Sequence, residues 1–455
     1  MNSFLFNISP IDGRYYSKTK DLFEYFSEWA LFKYRIKVEI EWLIFFTDNI
    51  KTEFKLDNDQ KKSLKLIYEN FNVDDGLRIK EIEKVTNHDV KACEYFIRDK
   101  LDLLQVGYIK EFVHIFCTSE DINNLAYNLM IKDALNKIYL PILKEVYFNI
   151  YKLGIKYKDI VILSRTHGQP AVPSTIGKEL INFVARLKDY MSVINSYPLK
   201  GKFNGAVGNF NSHYYSLPAL DWKSVSENFV KSLGLVPNLY TTQIEPHDSW
   251  ANLFFYISQI NNILSDFAKD IWTYISFDYF KQRKKENEVG SSTMPHKVNP
   301  IDFENAEGNL AIANSLAMGI ANKLQISRLQ RDLSDSTVER NMGLIFAYSV
   351  LAYKSLLKGM GKLEINKEKI KEDIDNNYQI LGEAIQSVLR LHNYDNPYDI
   401  LKKATRGAKI TKDNYFEFIE GLDISDDLKK HFKKLTPEQY CGIAQELIDS
   451  FNPDF

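Results

Sequence analysis

The segment Gly290 to Pro300, GSSTMPHKVNP, places serines, a histidine, a lysine and an amide between a glycine and a proline. Gly290 gives hinge freedom, and the following IDFENAEGN is typical of a helix start. Backbone N–H groups, Lys297 and Asn299 converge there in principle, which suits a carboxylate whose negative charge grows in a transition state. A solvated loop between helices is the alternative, but the length and order of the motif favour chemistry.

A second reactive group lies in Ser164 to Pro173, SRTHGQPAVP, which places His167 in a loop bounded by glycine and proline. An imidazole can give or take a proton near neutral pH. A single loop histidine is more often a surface residue. His167 therefore becomes a candidate acid or base only together with the other segments.

Two further polar segments stand at predicted helix starts. Thr86 to Val90, TNHDV, supplies Asn87 and His88, and Cys117 to Asn124, CTSEDINN, supplies Thr118 and Ser119. Helix capping alone would explain Thr118 and Ser119. His88 followed by Asp89 is equally compatible with a helix-terminal pair that has no chemical role.

Two arginine-bearing segments suit a phosphate group. Arg14 follows a tight turn in DGRY, and Arg331, Ser336 and Arg340 recur through RDLSDSTVER. A guanidinium fork holds phosphate oxygens with two parallel hydrogen bonds. Ion pairs with the acids of the same segment are equally compatible with the second pattern; these acids are Asp332, Asp335 and Glu339.

Other cofactor sites do not match the sequence. The glycines of GKFNGAVGN, Gly201 to Asn209, lack GxGxxG spacing and no strand precedes them, and no GxxxxGK[ST] occurs. The eight histidines include no HExxH and no close pair, and cysteines do not accompany them at ligand spacing. We expect neither a metal nor another cofactor.

Long helices must position these segments. Apolar residues recur at three- and four-residue spacing from His247 to Val289 without glycine or proline, which predicts one helix approaching about 60 Å. The same period recurs in Ile176–Ile194 and from Ile122 to Leu129, where Thr118 is a possible cap and Pro141 should kink or end the helix. A further pair of helices is predicted over Phe303–Leu324 and Arg340–Leu357.

Period-two alternation is scarce, so the predicted fold class is all-α, with a central bundle of long helices. We expect three domains: an N-terminal helical domain over residues 1–112, the bundle over 113–364 and a C-terminal helical domain over 365–455.

Composition excludes several classes of protein. Apolar residues make up 45% and charged residues 26% of the chain, which is ordinary globular usage and not that of a disordered or fibrous protein. A net charge of −2 without a basic face argues against nucleic acid and membrane partners and favours a small molecule. Three distant cysteines and no basic leader or long apolar stretch predict a cytoplasmic protein.

Together, GSSTMPHKVNP, THGQPA, TSEDINN and TNHDV make the sequence resemble the fumarase, aspartase and argininosuccinate lyase superfamily. Within it, the sequence is most similar to the bacterial type of adenylosuccinate lyase that begins SPxDGRY. The resemblance covers nearly the whole chain. It implies an anti-elimination that releases fumarate, and SPIDGRY and RDLSDSTVER favour a substrate bearing a ribose phosphate.

The resemblance also implies roles for residues. His167 would protonate the leaving nitrogen, Ser291 would remove the Cβ proton of the succinyl group, and Lys297 and Asn299 would bind its carboxylates. Further substrate-binding positions are implied at Asn87, His88, Asp89, Thr118, Ser119, Gln243, Ser292, Val298 and Asn305. Positions around the phosphate and nucleotide are implied at Arg14, Tyr15, Arg331, Ser336, Thr337, Val338 and Arg340.

The resemblance further implies a homotetramer whose central helices form a common bundle, with sites shared between subunits. Two alternatives stay open: a sister lyase acting on argininosuccinate, aspartate or malate, and a helical binding or structural protein without turnover. A serine hydroxyl is a weak base, so our hypothesis is that closure of its loop creates the base.

Overall fold

Helices make up most of the chain that the computed structural model describes, which comprises residues 4–283, 294, 296–405 and 410–454. The α-helices are α1 Tyr16–Thr19, α2 Phe23–Phe26, α3 Glu28–Asn49, α4 Asn58–Glu69, α5 Val73–Thr86, α6 Asp89–Leu103, α7 Ser119–Ala134, α8 Leu140–Lys156, α9 Ile176–Ile194, α10 Asn211–Ser216, α11 Trp222–Ser232, α12 Asp248–Ser276, α13 Ile301–Leu324, α14 Ser334–Glu339, α15 Met342–Met360, α16 Lys367–Asp375, α17 Gly382–Leu391, α18 Pro397–Thr405, α19 Tyr415–Glu420, α20 Asp426–Phe432 and α21 Ala444–Asp449. Short 3₁₀ turns occupy Phe4–Phe6, Lys20–Leu22, Thr52–Phe54, Gly107–Phe112, Tyr378–Leu381 and Pro437–Gln439, and a π-helical turn occupies Leu135–Tyr139.

Strands form only three small ladders in the described residues. The strands are β1 Val161–Thr166, β2 Gln169–Thr175, β3 Lys200–Gly201, β4 Val236–Pro237, β5 Phe280–Gln282 and β6 Leu363–Ile365. β1 pairs antiparallel with β2, β3 parallel with β4, and β5 antiparallel with β6. The predicted all-α class is confirmed. Within the described part of the chain, no helix is both long enough and apolar enough to cross a membrane.

The chain divides into two compact units. Unit 1 comprises the chain up to Leu143 with Ser192–Asn262 and Gly308–Lys354, and unit 2 comprises Lys144–Met191, Ile263–Glu307 and the chain from Ser355 onward. The boundaries fall inside the long helices α8, α9, α12, α13 and α15. The three-domain division at residues 112 and 364 stays a prediction.

In unit 1, a polar side chain joins three of the long helices. Asn261 on α12 is fully buried, and its amide donates to Asn314 on α13 (3.0 Å) and to Ser349 on α15 (3.1 Å). Its carbonyl accepts from the hydroxyl of Tyr353 at 2.7 Å. A buried amide needs such partners, and they fix the register of the three helices.

In unit 2, aromatic packing performs the corresponding role. Phe183 on α9 packs edge-on against Phe267 on α12 (centroids 5.6 Å apart), and Phe267 packs against Phe303 on α13 (6.4 Å). These contacts place apolar stripes of the predicted period face to face.

The start and end of α7 follow from its sequence. Thr118 occupies the N-cap position, and the Asp121 carboxylate accepts from the Thr118 backbone N–H at 2.8 Å, as the capping pattern predicts. The segment then widens into the π turn Leu135–Tyr139, which ends two residues before Pro141. Proline lacks the N–H that an α-helix uses, so the predicted interruption occurs just before it.

The predicted helix from His247 to Val289 is wrong in its extent. α12 ends at Ser276, which makes it about 44 Å long at 1.5 Å per residue, and the chain then forms β5. Asp278 adopts a left-handed φ of 61°, and its carboxylate accepts from the amide of Asn366 at 3.1 Å. An aspartate therefore turns the chain in a segment that contains no glycine or proline.

Candidate active site

The predicted site residues divide between the two units. Unit 1 holds Arg14, Tyr15, Asn87, His88, Asp89, Thr118, Ser119, Gln243, Arg331, Ser336, Thr337, Val338 and Arg340, and unit 2 holds His167, Lys297, Val298, Asn299 and Asn305. Ser291 and Ser292 lie outside the described residues.

His167 lies at the tip of the β1–β2 hairpin in unit 2. The loop between the strands consists of His167 and Gly168, with φ values of 52° and 73°. Two consecutive left-handed residues are the pattern of a type I′ hairpin turn, whose twist matches that of the paired strands. The His167 side chain is exposed, as expected of a group that must reach a substrate.

The loop that leads into α13 carries the predicted carboxylate ligands. Lys297 is exposed, and its N–H donates to the carbonyl of Met294 at 3.1 Å. Val298 is held by its carbonyl, which accepts from the Gln282 amide at 3.2 Å. Asn299, half-buried, follows at the edge of the helix. One turn inside α13, Asn305 accepts from the Ser355 hydroxyl at 2.7 Å.

The TNHDV segment joins two helices in unit 1. Asn87 ends α5 in a left-handed conformation with φ 50°, and His88 is the N-cap of α6. The His88 Nδ1 accepts from the Lys91 backbone N–H at 3.1 Å, so a neutral ring carries its proton on Nε2. His88 therefore does cap a helix, as one of the two interpretations of the sequence expected. Capping also leaves Nε2 as the ring nitrogen that can donate a hydrogen bond away from the helix.

Asp89 connects a buried arginine to an exposed one. Its carboxylate lies 2.9 Å from Arg35 Nη1 and 3.2 Å from Arg340 Nη2. Arg35 is 3% exposed, whereas Arg340 is 45% exposed. Burial acts to raise the pKa of Asp89, but the charge and hydrogen bonds of Arg35 outweigh it and lower the pKa to about 2. Asp89 therefore stays ionised and holds Arg340.

The TSEDINN segment reaches Arg331 through a residue that the sequence interpretation did not select. Thr118 and Ser119 are half-buried at the start of α7, and the next residue, Glu120, is fully buried. Its carboxylate lies 3.0 Å from Arg331 Nη2, and Arg331 Nε lies 3.1 Å from Asp335. The alternative ion pair of Arg331 with Asp335 is thus present, together with a second carboxylate.

A buried acid pair lies behind these arginines. Burial, and then the nearby Glu339 charge, raise the pKa of Glu120 to about 7. Glu339 is 2% exposed and lies 3.1 Å from Nε2 of the fully buried His247. Burial acts to lower the pKa of His247, but the Glu339 contact outweighs it and raises that pKa. These groups compensate charge that would otherwise be costly to bury.

Three other predicted positions lie close to this network. Gln243 donates its N–H to the carbonyl of Gln330, the residue before Arg331, at 3.3 Å. Ser336, half-buried on α14, donates its N–H to Asp335 at 2.6 Å. Thr337 is exposed and Val338 half-buried on the same helix.

The two predicted phosphate segments meet at one cavity. A space of about 450 Å³ is lined by Asp12 of DGRY and by Arg340, with apolar walls that include Phe26 and Leu344. Arg14 is exposed two residues further on, with its guanidinium carbon 5.9 Å from the ring of half-buried Tyr15. A volume of this size holds a small organic ligand, and Arg340 supplies positive charge at its wall.

Four residues that support this cluster were not identified from the sequence: Arg35, Glu120, Asn123 and His247. Asn123 links two of them, because it accepts from Arg35 Nε at 2.8 Å and donates to Glu120 at 2.7 Å. One sequence signal could have identified them: a charged residue within an otherwise apolar stretch of helix. Arg35 stands among buried apolar residues of α3, where an unpaired charge is strongly disfavoured.

Comparison with known families gives two matches along the chain. A family model described as Lyase matches residues 13–313, and one described as Adenylosuccinate lyase C-terminal matches residues 327–441. The first model alone spans more than half of the chain.

Curated relatives match over nearly the full length. A protein of Legionella pneumophila (strain Corby) named adenylosuccinate lyase is 52% identical over 448 residues, which cover 98% of this chain and 98% of that protein. A protein of the same name from Escherichia coli (strain K12) is 46% identical over 450 residues, covering 98% and 99% of the two chains.

Solved structures of lower identity share the fold. A fumarate lyase from Mesorhizobium sp. BNC1 superposes with a TM-score of 0.76 at 17% identity, covering 94% of this chain and 96% of that one. A 3-carboxy-cis,cis-muconate lactonizing enzyme from Pseudomonas putida gives 0.75 at 16% identity, covering 94% and 95%. At these identities the likeness concerns the fold alone.

Proposed function

This chain belongs to the adenylosuccinate lyase family, a family of fumarate-releasing lyases, and we propose that it catalyses two eliminations in purine biosynthesis. One converts adenylosuccinate to AMP and fumarate. The other converts succinyl-aminoimidazole carboxamide ribotide to AICAR and fumarate. The observation that carries the proposal is identity of about one half, over nearly the whole chain, to proteins named for the first reaction.

The proposed chemistry needs one base and one acid. Ser291 removes the Cβ proton of the succinyl group, and the electron pair is held as an aci-carboxylate. The Cα–N bond then breaks as His167 protonates the leaving nitrogen, which yields fumarate and the amine. The exposed position of His167 on a tight hairpin supports its role as the proton donor.

The same proposal assigns Lys297 and Asn299 to the succinyl carboxylates, with Ser292, Val298 and Asn305 beside them. A lysine charge stabilises the additional negative charge of the aci-carboxylate more than that of the substrate, which lowers the barrier. The exposed Lys297 at the entry to α13 supports this assignment.

We assign the nucleotide end of the substrate to the cluster in unit 1. Arg14, Arg331, Ser336 and Arg340 are proposed to bind the phosphate. The remaining unit 1 positions are proposed to line the nucleotide; these are Tyr15, Asn87, His88, Asp89, Thr118, Ser119, Gln243, Thr337 and Val338. The cavity between the DGRY segment and Arg340, and the fixed outward nitrogen of His88, support this arrangement.

We also propose a homotetramer with sites shared between subunits. In unit 1, α13 exposes a stripe of small and apolar side chains that includes Ile312, Ser315 and Met318. A side chain added at Gly308 or Gly319 would meet no atom within 4 Å. Small residues allow close approach of helices, so this face suits the α13 helix of another copy.

A cytoplasmic location is part of the proposal, supported by three free thiols.

A substrate comparison tests the proposed reaction. The purified enzyme should change the ultraviolet absorbance of adenylosuccinate and form AMP and fumarate in equal amounts, with no turnover of argininosuccinate, aspartate or malate. Turnover of one of those instead would identify a sister lyase. Absence of turnover on all of them would favour a helical binding protein without activity.

Light scattering tests the assembly. The wild-type protein should give about 212 kDa, four times the 53.0 kDa chain. Gly319→Glu should lower this mass, whereas Gly382→Glu, at another glycine with open space around it, should not. A wild-type mass of one chain would contradict both the tetramer and the shared sites.

A further inference from the structure

The hairpin that carries His167 is weakly held by its own strands. Beyond Leu163 the register of β1 and β2 shifts by one residue, and only Arg165–Pro170 and Thr166–Gln169 pair before the turn. Pro170 has no N–H to donate to the ladder. His167 itself is in a left-handed conformation that only a few per cent of non-glycine residues adopt. Contacts outside the ladder can therefore contribute to holding the tip.

One such contact is made by Arg165, two residues before His167. Its Nη2 donates to Asp373 Oδ2 on α16 at 2.7 Å, and its guanidinium carbon lies 4.9 Å from the ring centroid of Phe277. Both charged side chains are about one quarter exposed, so water screens the ion pair only partly. The contact joins the base of the tip to a helix more than 200 residues away in sequence.

Tyr279 completes the anchor. Its hydroxyl donates to the same Asp373 oxygen at 2.6 Å, and the residue is 1% exposed. Burial, and then the hydrogen bond to Asp373, raise the pKa of Tyr279, so the hydroxyl remains a neutral donor. Asp373 is thereby fixed from two sides. Among the described residues, no side chain hydrogen-bonds the His167 ring, so the backbone of the hairpin must place it.

We propose that Asp373 and Tyr279 are positioning residues for the reaction: through Arg165 they hold the hairpin tip that presents His167 to the leaving nitrogen. The inference rests on the proposed role of His167 as the acid. A purely structural ion pair would lower stability without affecting proton transfer. If these residues position His167, loss of the anchor should slow the reaction only when His167 is present.

Asp375 offers a matched control on the same helix. Its carboxylate lies 3.0 Å from Lys371, one turn away, and among the described residues its side chain forms no hydrogen bond or ion pair with the hairpin. Asp373→Ala should slow single-turnover conversion of adenylosuccinate by about 10- to 100-fold, since a displacement of about 1 Å can cost 100-fold, with Kd changed less than about threefold. Asp375→Ala should leave both values near those of the wild type.

Tyr279→Phe removes one hydroxyl and should slow conversion by about 3- to 10-fold, which keeps the test available if Asp373→Ala folds poorly. The decisive comparison adds Asp373→Ala to His167→Gln, where it should slow conversion less than about twofold further. Equal slowing with and without His167 would overturn the positioning role. If His167→Gln slows conversion but Asp373→Ala does not, the role of the anchor is rejected and the acid role of His167 stands. Wild-type rates for His167→Gln would reject the acid role itself and the anchor with it.

Discussion

Replacing Asp89 by asparagine should destabilise the protein by about 3 kcal/mol, because it leaves the charge of buried Arg35 without its carboxylate. The lowered pKa of Asp89 gives a consistent magnitude. A fall from 3.8 to about 2, at about 1.4 kcal/mol per pH unit, stabilises the ionised form by about 2.5 kcal/mol. This stabilisation is present above pH 4 and is lost as pH falls towards 2.

Thermal unfolding followed by circular dichroism measures the effect. An unfolding entropy of about 2.1 cal/mol/K per residue gives about 1 kcal/mol/K for this chain, so Tm should fall by about 3 °C. Asp99→Asn is the control on the same helix, since Asp99 pairs with Arg78 at 3.4 Å and both side chains are more than half exposed. Its Tm should fall by less than about 0.5 °C.

The variant should also affect binding. Arg340 loses the carboxylate that holds it, so KM for adenylosuccinate should rise more than kcat falls. Equal Tm values for the Asp89 and Asp99 variants would refute the reasoning about the buried charge. An unchanged KM would refute the link between Asp89 and the proposed phosphate-binding end of the site.

Three further predictions concern stability and are measured by thermal unfolding. The pKa of Glu120 is raised to about 7, so its contribution to stability is present below its ordinary pKa of 4.5 and is lost as pH rises through 7. The Tm of Glu120→Gln should therefore rise relative to the wild-type Tm between pH 5 and 8. A constant difference between the two Tm values would contradict this. Burial lowers the pKa of His213 to about 4, so the wild type should lose about 2 kcal/mol of stability, or about 2 °C in Tm, between pH 7 and 5. His213→Phe should retain this stability. An equal fall in Tm with pH for both proteins would refute the role given to His213. A Cβ at Gly177 would lie 2.5 Å from backbone atoms of Gly154 and Lys158, so Gly177→Ala should lower Tm by about 1 to 3 °C. Gly382 has open space around it, so Gly382→Ala should shift Tm by less than about 1 °C. Equal shifts for the two variants would show that the backbone adjusts at Gly177.

Local signals in the sequence predicted much of the fold. Apolar period and capping chemistry located α7, α9 and α13 to within a few residues, and Pro141 marked the π turn that precedes it. The end of α12 was not predictable in this way. An aspartate rather than a glycine turns the chain after Ser276, and the strand that pairs with β5 lies about 80 residues further on.

The candidate site was predictable only as separate segments. His167 was expected in a loop bounded by glycine and proline and lies at a hairpin turn. The ion pairs that Arg165, Arg35 and Glu120 form with Asp373, Asp89 and Arg331 join residues about 50 to more than 200 positions apart. Periodicity and local spacing carry no information about such pairs, which are fixed by packing.

The central claim is that Ser291 is the base of a fumarate-releasing elimination. Single-turnover kinetics of Ser291→Ala on adenylosuccinate, with binding of the substrate measured separately by calorimetry, tests it most directly. A lost general base should slow conversion by about 100- to 10,000-fold while Kd changes less than about threefold. Conversion at the wild-type rate, or a loss confined to Kd, would contradict the account.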